Sequence, residues 1–217
     1  MVKPPQPNPQ VEPVQVNPPQ GARRRGRPRS FDRETALEKA VLAFWAHGYE
    51  GTSVSDLTRA MGIGAPSLYA AFGDKQALFA EVVHAYGERY GTFGDRALAE
   101  EPTARAAVAR TLREAAAAYT TAGRPAGCLI AHAAANCTTP AVEESLRARR
   151  RQAVAAFERR ILDAVRAGEL PPGTDAAALA RFTGAVIQGM SQQARDGASR
   201  EELEAVGEIA LSVWPQG

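Results

Sequence analysis

No run of eighteen apolar residues occurs in this 217-residue chain, so nothing in it is suited to cross a bilayer as a helix. It begins Met1-Val2-Lys3-Pro4-Pro5 rather than with the charged-then-apolar order of a secretory leader. Both absences predict a cytoplasmic protein with no membrane partner. There are only two cysteines, Cys128 and Cys137. They fall in a segment with helical spacing, where roughly 100° per residue puts them on opposite faces, so a disulfide within that helix is not expected. The chain also lacks a glycine-rich phosphate loop, a nucleophile motif and a four-ligand metal spacing. His47, His84 and His132 have no partner at catalytic spacing. A small helical enzyme is thereby disfavoured, turnover of a ligand being what would revive it, and neither cofactor nor metal is expected. Cys128 and His132 share a helical face and begin a soft-metal pattern that nothing completes; a buried thiol could also serve as a redox sensor. Packing remains the favoured account of both cysteines.

Hydrophobic residues make up 45% of the chain, enough for a real core. The formal net charge is only +2, but it averages an uneven distribution. Pro4 to Gln20 is Pro, Gln, Asn and Val with a lone Glu12, a composition that disfavours helix and buries little. Directly after it, "RRRGRPRSF" puts five arginines between Gly21 and Arg29 with no acid among them. A DNA-contacting arm, a solubilising tail and a targeting signal all fit such a run in isolation.

From residue 31 onward almost every segment has the helical period. Asp32 caps a helix to about His47, with Leu37, Ala40, Val41 and Phe44 on one face and Gly48 ending it. Ser53-Val54-Ser55-Asp56 fits a capping box that opens a short helix with Leu57 and Met61 inward. Gly62-Ile63-Gly64 breaks it and Ala65 to Phe72 resumes, with Pro66 in the first turn where its missing N–H costs nothing. Two short helices joined by a glycine turn make a helix-turn-helix. Asp74 caps a fourth helix whose apolar pattern fades at Gly91 to Gly94, the expected domain boundary. Five further helices are expected: 103–121, 127–136, 140–168, 175–195 and 200–214. No alternating strand pattern competes.

The stretch "GYEGTSVSDLTRAMGIGAPSLYAAFGDKQALF", Gly48 to Phe79, resembles the N-terminal domain of the TetR/AcrR family of transcriptional regulators. The resemblance rests on the Gly-Tyr step after helix one, Thr52-Ser53, Gly62-Ile63 in the turn, Leu68-Tyr69 followed by Phe72, and Lys75 opening helix four. It is strong from Phe31 to about Tyr86; beyond that, length and helix order agree. It implies an all-α fold with a three-helix DNA-binding domain over residues 31–90. Helix four joins this to an α-helical ligand-binding and dimerisation domain over 91–217, and residues 1–30 form a disordered lead-in and arm. The implied function is a ligand-responsive regulator, most often a repressor, that binds a near-palindromic operator on double-stranded DNA as a homodimer and is released by a small-molecule effector.

A recognition helix presents short side chains to base edges while its neighbours grip phosphate. Ala65 and Pro66 offer only apolar contacts, Ser67 donates or accepts, and Ser55 reaches toward a base edge. At Gly64-Ala65-Pro66 the chain departs from the serine and polar or basic residue common in relatives. Tyr69, by its family counterpart, and Lys75 are expected to contact phosphate, and the helix opened by Ser53 and Ser55 favours one through its N-terminal N–H groups and dipole. Family members with basic extensions send them along the neighbouring minor groove, and Arg-Gly-Arg-Pro-Arg is the core of the AT-hook peptide. Arg25, Arg27 and Arg29 are therefore candidates for a narrow A·T-rich groove. An architectural binder acting through this arm alone is the alternative function.

In the second half, Tyr86, Tyr90, Phe93, Tyr119, His132, Asn136, Phe157 and Gln188 are candidates for a mixed apolar and polar ligand cavity. The last two helices carry wide apolar stripes, Leu179, Phe182, Val186 and Met190, then Leu203, Val206, Ile209 and Val213. By resemblance these pair with their copies in an isologous four-helix bundle, with Gly184 and Gly189 allowing close approach. Glu143 is placed to pair with Arg147 one turn on, and the run Arg147, Arg149, Arg150, Arg151 reads as a solvated face.

Overall fold

Asp32 opens the first helix, α1 (Arg33–His47), its carboxylate accepting the N–H groups of Glu34 and Thr35 at 3.1 and 3.3 Å. The computed structural model describes residues 31–133 and 137–215, and Met1. Ser53 and Asp56 cap α2 (Val54–Met61) reciprocally, as the capping-box spacing predicts. Gly62, at φ 72, makes the left-handed turn into α3 (Ala65–Phe72), and Asp74 accepts from the Ala77 N–H to start α4 (Lys75–Tyr90). One apolar core joins these four: Val41, Phe44 and Trp45 of α1, Leu57 and Met61 of α2, Leu68 and Phe72 of α3, and Leu78, Phe79 and Val82 of α4. The Phe44 and Phe79 rings meet edge to face at 4.9 Å.

Arg33 fixes the far end of α3. Its guanidinium pairs with Glu81 at 2.7 Å, donates to the Ala71 carbonyl at 3.3 Å and lies 4.4 Å over the Phe72 ring. The buried side of α3 is thus held by α1 and α4 together, leaving its opposite side free.

The rest of the described chain is α5 (Phe93–Glu100), α6 (Ala104–Tyr119), α7 (Leu129–His132), α8 (Pro140–Arg166), α9 (Ala176–Arg195) and α10 (Arg200–Ser212), making ten helices and no strand among the described residues. A second core gathers Val108, Leu112 and Tyr119 of α6, Phe157 and Ile161 of α8, Met190 of α9, and Leu203 and Leu211 of α10. The all-α architecture is as expected, with two differences. Where a boundary is expected at Gly91 to Gly94, α5 begins at Phe93; it is short and buries only Ala97 fully, too little period to stand out beside the glycines. The helix expected over 127–136 is described only as the single turn α7, with Cys128 at its N-cap and Cys137 beyond it in non-helical chain. The two cysteines therefore do not sit on opposite faces of one helix.

A knot of backbone hydrogen bonds ties the α6–α7 connection to both cores. Trp45 Nε1 donates to the Gly127 carbonyl at 3.1 Å, and the Cys128 N–H donates to Ser191 Oγ at 2.8 Å. Arg195, at the end of α9, donates to the carbonyls of Ala46 at 3.3 Å and of Trp45 and Ala126 at 3.5 Å. A cation is thereby set against the C-terminal carbonyls of α1, where the helix dipole favours it.

Glu50 makes a second tie. Its carboxylate accepts the N–H groups of Thr138 and Thr139 at 2.9 and 3.0 Å and both threonine hydroxyls at 3.0 Å. The Thr138 N–H first, then the Thr139 hydroxyl, hold its pKa below the ordinary 4.5. A lowered folded-state pKa stabilises the fold above the ordinary value, and this contribution fades as pH falls through the lowered one. Thermal melting followed from pH 6 to pH 3 is expected to lose stability more steeply in the native protein than in Glu50→Gln.

Candidate nucleic-acid interface and internal cavity

On α3, Leu68 and Phe72 are buried, while Pro66 and Tyr69 face solvent, Tyr69 at 50% exposure, with Ala65 and Ser67 half-buried between. Pro66 occupies the first turn without loss because that position has no intrahelical acceptor for an N–H. Small side chains at the N-terminal end, one rigid aromatic projecting beyond them and a core-facing opposite side make a helix that can enter a groove. Ser55 is exposed at the start of α2. Ser53 is exposed as well, but its hydroxyl is engaged with Asp56 in the cap, so any phosphate it meets must compete with that bond. Lys75 sits at the first residue of α4 with Nζ 4.2 Å from the centre of the Tyr49 ring, a cation–π contact that steadies its charge. Tyr49 itself is core, 5.0 Å from Phe79. Arg25, Arg27 and Arg29 lie outside the described residues.

A cavity of about 530 Å³ opens between α4, α5, α6, α7, α8 and α9. Of the candidates read from the sequence, Tyr86, Phe93, Tyr119, Phe157 and Gln188 line it. Burial pushes the Tyr86 and Tyr119 phenols up, and the Cys128 thiol beside both adds to this, so they stay neutral. Tyr90 is not in the lining: its ring packs 5.2 Å from Trp45, its hydroxyl donates to Glu38 and the Arg124 guanidinium lies 5.1 Å over it. His132 points elsewhere too, toward the end of α1 beside Gly48; burial first, then Arg195 and His47, lowers its pKa. Asn136 lies outside the described residues.

Sequence reasoning missed Cys128, Ile130, Val154 and Ile187, and above all Arg149 and Arg150, as lining residues. The arginine run divides: Arg149 and Arg151 are exposed, Arg147 and Arg150 half-buried. Arg147 pairs with Glu143, as its spacing predicts, and with Glu144, and Arg151 reaches Glu144 at 3.9 Å. Arg150 instead lies one turn from buried Leu146 on the stripe that continues to Phe157, a periodicity legible in the sequence once the acidic partners are set aside.

The stripes of α9 and α10 divide in the same way. Phe182, Val206, Ile209 and Val213 are exposed large apolar groups, at 38%, 41%, 70% and 62%. Leu179 and Val186 are half-buried against the second core. Met190 and Leu203 are each 1% exposed, so both are core residues of the subunit, beyond the reach of a second one. Gly184 serves the inside of the chain, since a Cβ there would come 2.9 Å from Val154 Cγ2 of α8, whereas Gly189 faces open space.

An exposed helix braced on the core it shares with α1, α2 and α4, followed by a larger helical unit with a cavity and an uncovered apolar face, is the arrangement of a helix-turn-helix protein. Residues 36–82 match the family model described as bacterial regulatory proteins, tetR family, and residues 107–208 that of the tetracyclin repressor-like C-terminal domain. The HTH-type transcriptional repressor ComR of Escherichia coli (strain K12) is 38% identical over 198 residues, covering 88% of this chain and 93% of the relative. The repressor BdcR of the same organism is 33% identical over 186 residues, 85% of this chain and 90% of the relative. The TetR family regulator CifR, solved as a cysteine mutant with 26 base pairs of double-strand operator DNA, is 44% identical, with a TM-score of 0.84 over 88% of this chain and 100% of that one. The chain belongs to the TetR family of bacterial transcriptional regulators. Among the described residues no helix is long and apolar enough to cross a membrane.

Proposed function

We propose that the protein is a homodimeric repressor that reads a near-palindromic operator through α3 and leaves it when a small molecule fills the cavity. The observation that carries this is the two-sided character of α3, with Leu68 and Phe72 locked inside while Pro66 and Tyr69 front the solvent and Ser67 is half-buried between them. The operator-bound state of the related CifR supports it. In this reading Ala65, Pro66 and Ser67 lie against base edges with Ser55 near them. Tyr69, Lys75 and the Ser53 end of α2 hold phosphates, and the arm with Arg25, Arg27 and Arg29 follows the adjoining minor groove. The cavity is the effector site, and Phe182, Val206, Ile209 and Val213 form the subunit interface, flanked by Leu179 and Val186.

Coupling between cavity and operator runs through α7. The turn carries Cys128 and Ile130 on the cavity wall; before it, the Gly127 carbonyl accepts from Trp45 of α1, and the Ala126 carbonyl accepts from Arg195 of α9, which also donates to the α1 carbonyls of Trp45 and Ala46. An effector that favours a shifted α7 changes the angle of α1 and the spacing of the two recognition helices. Such coupling is typically about 1–3 kcal/mol, roughly five- to 150-fold in operator affinity.

The test is operator titration at several salt concentrations. Tyr69→Phe removes one hydroxyl and is expected to weaken binding by about 1 kcal/mol, roughly fivefold. Lys75→Gln is expected to weaken binding to all sequences alike and to reduce the salt slope by about one. Unchanged affinity in both variants would remove α3 and α4 from the interface.

A further inference from the structure

We infer that the cavity takes an amphipathic organic anion, with Arg149 and Arg150 receiving its carboxylate or sulfonate-type head and the aromatic floor receiving its body; this rests on the cavity being the effector site. Among the described residues neither arginine has a carboxylate within ion-pair distance, although the adjacent Arg147 and Arg151 both do. Arg150 spends one N–H on the Ile130 carbonyl at 3.3 Å, out of the five a guanidinium offers. Its pKa is lowered, first by burial and then by the neighbouring Arg147 charge, with Glu143, itself paired to Arg147, acting in the opposite direction. Arg149 is exposed at the rim, and Gly87 makes room for its guanidinium, since a Cβ there would come 3.2 Å from Arg149 Nη1.

The other charges on the lining do not cancel this pair. Glu88 lies 3.4 Å from His84 with both side chains 68% exposed, and Asp95 is exposed in the first turn of α5. These acids stand on the α4 and α5 side, while the arginines belong to α8. Arg159, the third cation of the lining, is exposed on the same helix. The lining also carries apolar surface: Phe157 and Tyr119 are buried, Phe93 meets the Tyr119 ring at 6.2 Å, and Val154 and Ile187 belong to the same wall set. Two guanidiniums without a carboxylate partner, in a cavity that also carries aromatic rings, select an anion with a hydrophobic body over its neutral counterpart, because a charge-assisted bond to Arg is roughly twice as strong as a neutral one.

The test uses two fluorescent probes of similar ring content on the full chain, the anion 8-anilinonaphthalene-1-sulfonate and the neutral N-phenyl-1-naphthylamine. The native protein is expected to bind the sulfonate at least about tenfold more tightly than the neutral amine. Arg149→Gln with Arg150→Gln is expected to bring the two within about threefold of each other with the amine unaffected, while Arg150→Lys keeps most of the preference. Ala153 lies at the exposed mouth, so Ala153→Trp blocks entry without disturbing the core and is expected to abolish both. Equal affinities in the native protein, or a sulfonate preference that survives loss of both arginines, would overturn the anion class while leaving the cavity as the effector site. Sulfonate binding undiminished in Ala153→Trp would overturn it by locating the probe elsewhere. If neither probe binds the native protein, the effector-site reading falls with it.

Discussion

Ile209→Glu is expected to leave each subunit folded and to reduce operator affinity by about a hundredfold or more. Ile209 is the most exposed large apolar side chain of the last two helices at 70%; Val206 and Val213 stand at helical spacing on the same stripe, and Phe182 of α9 adds further uncovered surface. Burying each such group against a second subunit contributes up to about 1.5–3 kcal/mol, and an isologous contact counts every residue twice. A carboxylate at Ile209 would have to be desolvated in duplicate, next to its own copy, which costs more than the lost burial. Separated subunits bind half-sites singly, and the affinity that comes from engaging two at once disappears. Sedimentation should show a monomer and melting an intact fold. Met190→Glu makes the contrasting control: Met190 is 1% exposed inside the second core, and that variant is expected not to fold.

The second large effect is expected at the knot below the cavity. Gly127→Ala should lower the melting temperature by roughly 5–20 °C, at about 2–4 °C per kcal/mol for a chain of this size. Gly127 holds φ at 75, and a Cβ there would stand 2.5 Å from the Ser191 carbonyl oxygen and 2.9 Å from Ser191 Oγ. A non-glycine residue in such a conformation costs about 1–3 kcal/mol. Displacing the α9 backbone costs about 1–3 kcal/mol more. Gly123 separates the two contributions, since its φ is 80 but nothing lies within 4 Å of the added Cβ. Gly123→Ala should therefore show only the conformational part. Equal losses in the two variants would mean that the approach of α9 to Gly127 does not matter.

The N-terminal helices were legible from local signals: Asp32, Ser53 and Asp74 accept first-turn N–H groups of α1, α2 and α4 as their positions predict, and α3, which has no side-chain cap, is marked by the glycine turn and Pro66. The second half carried fewer such marks. Thr103, Asp175 and Ser199 do cap α6, α9 and α10, but Thr92 makes no side-chain cap for α5, and Cys128 makes none for α7. Those two were misread. The candidate cavity was half legible. Aromatic residues pointed to it, yet whether a tyrosine faces a cavity or a partner helix is decided by tertiary contacts, which separate Tyr86 from Tyr90 although both belong to α4. Arg150 was hidden for the opposite reason, a charged residue on a buried stripe inside a charged run. The interface stripes mixed two faces because α9 and α10 are apolar on more than one side, and only burial tells Leu203 from Val206.

On this reading α3, not the arginine arm, chooses the DNA. The most direct measurement is to incubate the full-length protein, and a version lacking residues 1–29, with fragmented genomic DNA of the source organism near physiological salt and to sequence what is retained. Salt at that level suppresses purely electrostatic binding. The account predicts a few enriched fragments sharing an inverted repeat, kept by the shortened protein at lower affinity. Broad enrichment of A·T-rich DNA that vanishes with the arm would contradict it and move the function to Arg25, Arg27 and Arg29.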